Sequence, residues 1–599
     1  MRPAPHFFRS GQSAGPALFL LLAAALGGLR AWEALTAFSA LFFMFLAFFD
    51  EDFSVSGLGV WGLLALWLAA GLAFSPEPQN SFWQFSRYLL LFAFFIFASR
   101  QEPAARRAWA GAVFLLGALA AVVSVAEAVL GLGPGGILGV NPNYAAAFMA
   151  AALAGSAALL ACAADKGGKL RAAAGLAFFS AGLLAVNSRG GVLGALAAVF
   201  YILWRRKALR PALYLTAGLL LVPALLPKGQ LAWFLKLGDP YSLERLRIWG
   251  TALDAIAASP VFGAGPGLFE RAFEIFKFPF YNGISFYGHA TPHAHSELLN
   301  LAAEAGIPAV CLLAWGWGRA VFAADGGDPV SGHGAGPVSG HGAGRWELVL
   351  KAFAVSLFAQ AAIDIIFYSG AVQLFFFGTL GLLAARRPQP VSPYDAPGAR
   401  VRTLSLLLAC WCAAFLLRSG FERDKGCALD ETMAPAVREA CLKKAAGFAP
   451  GDAALLEASI PLSLAVRGNY AYTAALAGEA ALKRPRDPFH LFARAETFYL
   501  AGAVGPAKTD LYGALALEPA FLRARLRLAG ILAAEKNYRA AAAELSRIEA
   551  QLGKKRAAPR SSYDRALLVL PEAQYAGFRK EIWKKVPGGG TTALNRKTR

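Results

Sequence analysis

Long runs of apolar residues, broken by short polar or basic stretches, fill the first 420 residues of the chain. A helix needs roughly 20 apolar residues to cross a bilayer, and many of these runs reach or approach that length. The pattern predicts an all-α fold with a polytopic transmembrane helical bundle in a membrane domain at 1–420. The predicted spans, about thirteen in number, are 16–31, 34–49, 56–74, 83–99, 109–130, 143–163, 172–186, 190–204, 211–226, 297–322, 347–368, 371–385 and 402–418.

The pattern changes after about residue 425, where apolar residues take the period of an amphipathic helix. Prolines recur after apolar-rich stretches at Pro450, Pro485 and Pro519, with spacings of 35 and 34 residues. That is the period of tetratricopeptide (TPR) repeats, which stack pairs of helices and usually bind a partner. The sequence therefore predicts a soluble TPR-like α-solenoid over about 425–585, with a protein partner.

Charge is scarce: only 16% of the residues are charged, below the roughly 25% of a soluble globular chain. The formal net charge is +20, but much of the excess is Arg and Lys at the ends of predicted spans. This distribution fits the positive-inside rule and does not require a nucleic-acid partner. With a cytoplasmic N-terminus, four basic clusters fall in cytoplasmic loops, namely 100–107, 166–171, 205–210 and 386–402.

This topology places the long loop 227–296, and everything after 418, on the outer face of the membrane. No small-residue cleavage site is evident before the spans that follow the first one. We therefore expect the first span to be retained rather than removed as a signal peptide.

Two features outside the spans leave alternatives open. Cys427 and Cys441 would lie outside the membrane, where a disulfide can persist, and the sequence is equally compatible with a bond and with free thiols. The octapeptide PVSGHGAG occurs twice in tandem, at 329–336 and 337–344. Its two histidines would make a weak metal-binding tract, but the composition is typical of a duplicated flexible linker, which we favour.

Polar groups at the ends of membrane spans are costly and usually functional. In GVNPNYAAAF (139–148), Asn143 is placed to cap the helix that follows, or alternatively to face a substrate cavity. In NSRGGVLGAL (187–196), Arg189 lies in a short turn on the outer side. It is either an interfacial arginine or part of an anion site, in which the two glycines let the backbone approach closely and a helix N-terminus follows.

The stretch SLERLRIWGTALDAIAASPVFGAGPGLF (242–269) predicts an amphipathic helix that ends before the GAGPG turn. Arg245, Trp249 and Leu253 are spaced i, i+4 and i+8 and share one face, whereas Arg247 points elsewhere. Arginine binds phosphate through a planar fork that makes two charge-assisted hydrogen bonds. The helix is therefore either a surface amphipathic helix or a phosphate-binding element.

Residues 288–306 read GHATPHAHSELLNLAAEAG and place three histidines ahead of an apolar helix. Pro292 is suited to open that helix, with Thr291 as its cap. Three imidazoles so close together ligate a metal ion, carry acid–base chemistry, or do neither.

A helix that begins at Pro292 would set His293 and His295 about 200° apart, so both could not reach one metal ion. A mononuclear metal site would then need a non-helical loop. A single histidine acting as general base fits better, because imidazole titrates near neutral pH. Glu297, four residues after His293, would orient or acidify that ring.

Four motifs follow one another along the predicted outer face: NPN (141–143), SRGG (188–191), R-x-x-x-W at Arg245–Trp249 with P-x-x-G-x-G at 260–265, and the histidine loop. Together they resemble the O-antigen ligase superfamily, which includes O-antigen ligases, O-antigen polymerases and protein O-oligosaccharyltransferases. The ligase pattern H-[NSQ]-x9-G-x-x-[GTY] is met by His295, Ser296 and Gly306, and it fails at Ala309. The resemblance covers about 140–310, and some relatives also carry a TPR-like tail.

The resemblance implies a metal-independent glycosyltransferase without a cofactor, at the periplasmic face of a bacterial inner membrane. The donor would be a glycan on undecaprenyl pyrophosphate, and the acceptor would be lipid A core, another glycan or a protein. His295 would activate the acceptor hydroxyl, and Arg189 and Arg245 would hold the departing pyrophosphate. The further candidates for substrate binding are Arg247, Asn143, His293, Trp249 and Glu297.

Two functions of other classes are the alternatives. A polysaccharide or lipid transporter would need paired half-repeats or charges within spans, for which Asp364 and Glu127 are the main candidates. A TPR scaffold with a membrane anchor would not need about thirteen spans. The sequence therefore favours the glycosyltransferase.

Overall fold

The computed structural model describes residues 14–49, 59–132, 141–208, 210–211, 213, 244–323, 340–385, 397–430, 432–449, 452–467, 469–553, 558–559 and 561–586. Helices account for 80% of it, and the described residues contain no β-strand. The predicted all-α fold is therefore confirmed. Most of the predicted span 211–226 and most of the PVSGHGAG repeats at 329–344 lie outside the described residues.

The helices are numbered in chain order, and a short 3-10 turn, Gly27–Leu29, follows the first of them. They are α1 (Gly15–Ala25), α2 (Trp32–Phe49), α3 (Val60–Ala73), α4 (Pro78–Ser99), α5 (Ala105–Val129), α6 (Pro142–Cys162), α7 (Lys166–Val186), α8 (Arg189–Arg205), α9 (Glu244–Ala258), α10 (Phe269–Phe276), α11 (Glu297–Phe322), α12 (Gly340–Ile363), α13 (Gly370–Ala384), α14 (Pro397–Leu429), α15 (Pro435–Phe448), α16 (Ala453–Arg467), α17 (Tyr470–Lys483), α18 (Pro488–Leu500), α19 (Val504–Leu517), α20 (Leu522–Ala534), α21 (Tyr538–Leu552), α22 (Ser562–Leu568) and α23 (Glu572–Lys585).

Six helices in the described part of the chain are long and apolar enough to cross a membrane: α4, α5, α6, α7, α11 and most of α12. The shorter apolar helices α1, α2, α3 and α13 occupy four more of the predicted spans. The polytopic helical bundle is therefore confirmed. The larger predicted number of spans stays a prediction, since helices such as α1 (11 residues) and α3 (14 residues) are short for a full crossing.

Helix α6 lies at the centre of the bundle and packs against α5, α7, α8 and α12. Its sequence, PNYAAAFMAAALAGSAALLAC, is rich in alanine, and most of its residues are buried. Small side chains let neighbouring helices approach closely, which is how helices associate within a bilayer. The central position of α6 places the NPN motif at its start among the ends of several other helices.

The described residues fall into two compact units, one within Met1–Phe269 and His293–Leu417 and the other within Glu270–Pro292 and Arg418–Arg599. In the second unit, each helix from α15 to α21 packs on the next in the chain. This order of packing is that of a helical array, and the TPR assignment itself stays a prediction. A disulfide joins Cys427 to Cys441, which resolves the alternative left open by the sequence.

The second unit includes Glu270–Pro292, a segment that comes from the long loop between membrane helices. The loop segment and the C-terminal helices therefore belong to one folded unit. That both lie on the same side of a membrane, and that this side is the periplasm, stay predictions.

Candidate active site

The histidine loop, residues 288–296, is not helical. Helix α11 begins at Glu297, and its N-cap is Ser296, whose hydroxyl accepts a hydrogen bond from the backbone N–H of Leu299. The predicted helix start at Pro292 with Thr291 as its cap is wrong. Ser296 is favoured as the cap because its hydroxyl also donates to the carbonyl of Ala362 at 2.7 Å, a contact that the local sequence does not reveal.

The two histidine rings are therefore neighbours, with ring centroids of His293 and His295 only 4.9 Å apart. The separation expected from helix geometry does not apply. The argument against a shared metal ion based on that geometry is removed, and metal independence stays a prediction.

His295 adopts an unusual backbone conformation, with a φ angle of 52°. This left-handed region is costly for a residue with a Cβ atom and is found disproportionately at functional sites. The backbone just before it is held because the N–H of Ala294 donates to the side chain of Asn300 at 3.1 Å. The Nδ1 atom of His295 is buried and makes no hydrogen bond with any described residue.

Both histidines have lowered pKa values. Burial, together with the nearby His293 and Arg245, lowers the pKa of His295 from 6.5 to about 4. Burial also lowers the pKa of His293, and Arg245 acts in the same direction. His295 is therefore neutral near pH 7, which is the state in which an imidazole can accept a proton.

Arg245 lies on α9 close to both imidazoles and to a buried carboxylate. Its Nη2 atom is 3.9 Å from Oδ1 of Asp364, which is only 2% exposed and immediately follows α12. The arginine itself is a third exposed, so it keeps access to a ligand. Asp364, which the sequence offered as a membrane charge of a transporter, therefore lies beside the candidate site.

Arg189 is the first residue of α8, and the helix is capped by Ser188, whose hydroxyl accepts from the N–H of Gly191. Next to it, Gly190 packs so tightly that a Cβ atom there would lie 3.0 Å from Oδ2 of Asp364. The glycines of SRGG therefore allow close contact between helices, and the predicted approach of backbone to a ligand stays a prediction. Asp364 thus contacts Gly190, beside Arg189, and also lies close to Arg245.

The NPN motif joins the same group of helix ends, but its cap is Asn141 rather than the predicted Asn143. The side chain of Asn141 accepts from the N–H of Asn143 at 3.0 Å. The side-chain oxygen of Asn143 accepts from Ser188 at 2.8 Å, and its backbone carbonyl accepts from Gln360 at 3.2 Å. Asn143 therefore links α6, α8 and α12, and its substrate-binding role stays a prediction.

The spacing between His295 and Gly306 corresponds to a break within α11. Gly306 has a φ of 82°, and a Cβ atom there would lie 1.8 Å from the carbonyl oxygen of Val261.

The P-x-x-G-x-G turn fills this break. The N–H groups of Ala264 and Gly265 donate to the carbonyls of Ala303 and Glu304, and the N–H of Ile307 donates to the carbonyl of Pro260. Trp67 donates to the carbonyl of Ala305 at 2.9 Å. Two separate sequence motifs, the turn at 260–265 and Gly306, therefore form one structural joint within α11.

The other predicted binding residues occupy different positions. Glu297 accepts a hydrogen bond from the N–H of Phe367 at 2.5 Å, so its carboxylate helps to fix the chain after α12. Trp249 is half-buried on α9, and its indole N–H makes no hydrogen bond with the described residues. Arg247 is exposed. The substrate-binding roles of these three residues stay predictions.

Two further residues near the site did not stand out in the sequence. The ring of Tyr368 lies 5.6 Å from that of His293. Arg87 on α4 donates to Gln84 and Gln373 and lies within electrostatic range of Tyr368 and Glu297. A single arginine inside an apolar span is a functional signal that sequence reasoning could have used.

One group of described side chains is spaced for a shared metal ion, but it belongs to the second unit. It consists of Glu457, Asp487 and His490, with Nε2 of His490 3.1 Å from Oε1 of Glu457. Arg484 pairs with the same Glu457 oxygen at 2.5 Å. Since a guanidinium already neutralises this carboxylate, we assign the group no metal.

Comparison with known proteins identifies the part of the chain that carries this site. Residues 174–314 match the family model described as O-antigen ligase. The match includes the SRGG motif, α9, the P-x-x-G-x-G turn and the histidine loop with the break at Gly306, while NPN precedes it. The comparison with curated proteins finds no match.

Proposed function

We propose that this chain belongs to the O-antigen ligase superfamily and moves a glycan from undecaprenyl pyrophosphate to an acceptor hydroxyl at the periplasmic face of the bacterial inner membrane. The family match supports a membrane glycosyltransferase of the ligase or polymerase kind. The donor, the acceptor and the residue roles are our proposal.

The observation that carries the proposal is the proximity of a neutral base and a cation. His295 is held neutral by burial, and Arg245 is close enough to contribute to the lowering of its pKa. A hydroxyl nucleophile needs a proton acceptor, and a departing pyrophosphate needs positive charge. Asp364 pairs with the guanidinium of Arg245 at 3.9 Å, and part of the guanidinium stays exposed and can bind phosphate.

In the proposed reaction, the acceptor oxygen bonds to the anomeric carbon of the donor as the bond from that carbon to the pyrophosphate oxygen breaks. The hydroxyl proton passes to His295, and the bonding electrons leave with the lipid pyrophosphate. Arg245 and Arg189 bind the phosphates and stabilise the negative charge that develops on them. The reaction as proposed uses no metal ion and no cofactor.

The acceptor divides the family into three activities. Transfer to lipid A core is that of an O-antigen ligase, transfer to another glycan is that of a polymerase, and transfer to Ser or Thr is that of a protein O-oligosaccharyltransferase. We favour the ligase, because His295, Ser296 and Gly306 meet the ligase pattern, although Ala309 departs from it.

His295→Asn is the sharpest test of the base. Asparagine tolerates the left-handed backbone found at this position, so the variant removes the base without adding strain. We expect glycan transfer from a lipid-linked donor to fall by about 10²–10⁴-fold, the usual contribution of a general base. Transfer near the wild-type rate would overturn the assignment.

His289→Phe provides the matched control. His289 packs against Phe273, Phe278 and Phe280, and neither of its ring nitrogens makes a hydrogen bond with the described residues. A phenyl ring suits that environment, so transfer should stay near the wild-type rate.

The same assay decides two more points. The molecule that bears the glycan after the reaction identifies the acceptor. Activity that is lost in EDTA and restored by a divalent ion would refute metal independence.

A further inference from the structure

The loop segment 282–287, which belongs to Glu270–Pro292, is largely buried in the second unit. Ser285 is fully buried and Ile284 is 4% exposed. The segment folds into a tight turn, because the side-chain oxygen of Asn282 accepts from the N–H groups of Ile284 and Ser285, both at 2.9 Å. Gly283, with a φ of 100°, permits that turn.

Glu518 binds one side of this segment. Its carboxylate accepts hydrogen bonds from the backbone N–H of Phe286 at 2.8 Å and from that of Tyr287 at 2.7 Å. The hydroxyl of Tyr563 donates to the same carboxylate at 3.2 Å. Glu518 is fully buried, so its charge is accommodated only because these three donors converge on it.

Asp564 binds the other side. Its Oδ1 accepts from the hydroxyl of Ser285 at 2.7 Å and from the side-chain amide of Asn282 at 3.2 Å. Asp564 is 1% exposed. A buried carboxylate is costly unless it is fully hydrogen-bonded, and segment 282–287 supplies these side-chain donors.

We propose that the C-terminal helical unit uses this surface to bind the chain's own segment 282–287, and that Glu518 and Asp564 are positioning residues for the histidine loop. Pro292 is the last residue of the second unit before the chain returns to the first, and His293 is the next residue in the chain. Holding residues 282–287 therefore restricts the backbone that leads into His295, whose strained conformation needs such support. The positioning role rests on the proposed function of His295, whereas the binding of the segment does not.

Glu518→Ala and Glu518→Gln in the full-length protein test the proposal. Alanine leaves the N–H groups of Phe286 and Tyr287 without their acceptor, whereas glutamine keeps one oxygen in place. Amide hydrogen exchange over 282–295 should speed up by about tenfold or more in the alanine variant, the effect of losing a charge-assisted hydrogen bond. The glutamine variant should exchange at a rate between those of wild type and the alanine variant.

The kinetic expectation is a lower kcat with an unchanged KM for the lipid-linked donor, since the donor contacts on α8 and α9 are not altered. Asp510→Asn is the matched control. Asp510 is a buried carboxylate of the same unit, but it pairs with Arg494 at 2.7 Å. This control should leave both the exchange over 282–295 and kcat close to wild type.

Each outcome decides the proposal. Unchanged exchange in Glu518→Ala would overturn the binding of the segment. Faster exchange with unchanged kcat would overturn the positioning role. Equal effects in Asp510→Asn would reduce the result to general destabilisation and overturn both. If the wild-type protein transfers no glycan, the proposed function fails, and the exchange data still decide whether Glu518 binds segment 282–287.

Discussion

His295 combines a strained backbone with a ring that burial keeps neutral. An ordinary histidine would be half-protonated near its usual pKa of 6.5, whereas the pKa of His295 is lowered to about 4. The proton-accepting form therefore persists well below neutral pH, and it is lost only as the pH falls through about 4.

This property predicts the pH dependence of the reaction. We expect kcat/KM for glycan transfer to show no loss as the pH falls from about 7 to about 5. The reason is that kcat/KM reports the pKa of the essential base in the free enzyme, and the pKa of His295 is about 4. The measurement is a pH–rate profile at subsaturating donor, with folding checked at each pH. An acid limb near pH 6.5 that is retained in His293→Gln would contradict the lowered pKa of His295.

The residues of the site differ in how far the sequence could predict them. His295, Ser296 and Gly306 are singled out by the resemblance to the ligase pattern. The role of Ser296 as cap could not be predicted, because it depends on a carbonyl 66 residues away at Ala362. Asp364 was visible as a charge, but only the fold brings it beside Arg245 and Gly190.

At the scale of elements, the break in α11 connects two motifs that the sequence presents separately. The turn at 260–265 supplies hydrogen-bonding groups for the interrupted helix, and Gly306 lets the two backbones touch. Sequence patterns reveal where helices and glycines occur, and most predicted spans coincide with helices. They do not reveal which turn meets which helix, because that contact joins positions about 40 residues apart.

Gly306→Ala tests this joint. A methyl group would collide with the carbonyl of Val261, and the backbone region at this position is nearly exclusive to glycine. We expect a loss of stability of several kcal/mol and a strong loss of glycan transfer. Both are measured on detergent-purified protein, by thermal unfolding and by the transfer assay.

The control for this change is Gly250→Ala within α9. A Cβ atom there has no neighbour within 4 Å, and its φ is not positive. Replacing glycine by alanine inside a helix stabilises by about 0.5–1 kcal/mol. Equal losses in the two variants would show that the joint at Gly306 has no special importance.

At the scale of the whole molecule, the C-terminal helices fold together with a loop segment from much earlier in the chain. Segment 270–292 and the C-terminal helices form one unit. The sequence predicts, from an odd number of spans, that both pieces lie on the same side of the membrane, and this stays a prediction. It did not predict that the two pieces fold together, since Tyr287 and Glu518 are 231 residues apart.

Labelling of cysteines tests the shared side. Tyr281 and Tyr512 are both more than half exposed, and each belongs to the second unit. Tyr281→Cys and Tyr512→Cys, each in a background without the free cysteines, should both react with a maleimide that does not cross the inner membrane. The fold of the second unit would be contradicted if one cysteine reacts in intact cells and the other reacts only after the inner membrane is permeabilised.

The distance along the chain between Tyr287 and Glu518 has a consequence for how the protein is made. At about 5–20 residues per second, a ribosome needs roughly 10–50 seconds to extend the chain from Tyr287 to Glu518, which lies 231 positions later. During that interval segment 282–287 has been synthesised, but Glu518 and Asp564, which bind it, have not. A nascent chain therefore carries His295 before it contains the two carboxylates that position the histidine loop. On our proposal, a translation product interrupted before Glu518 would transfer lipid-linked sugar more slowly, because the residues that position the histidine loop come later in the chain.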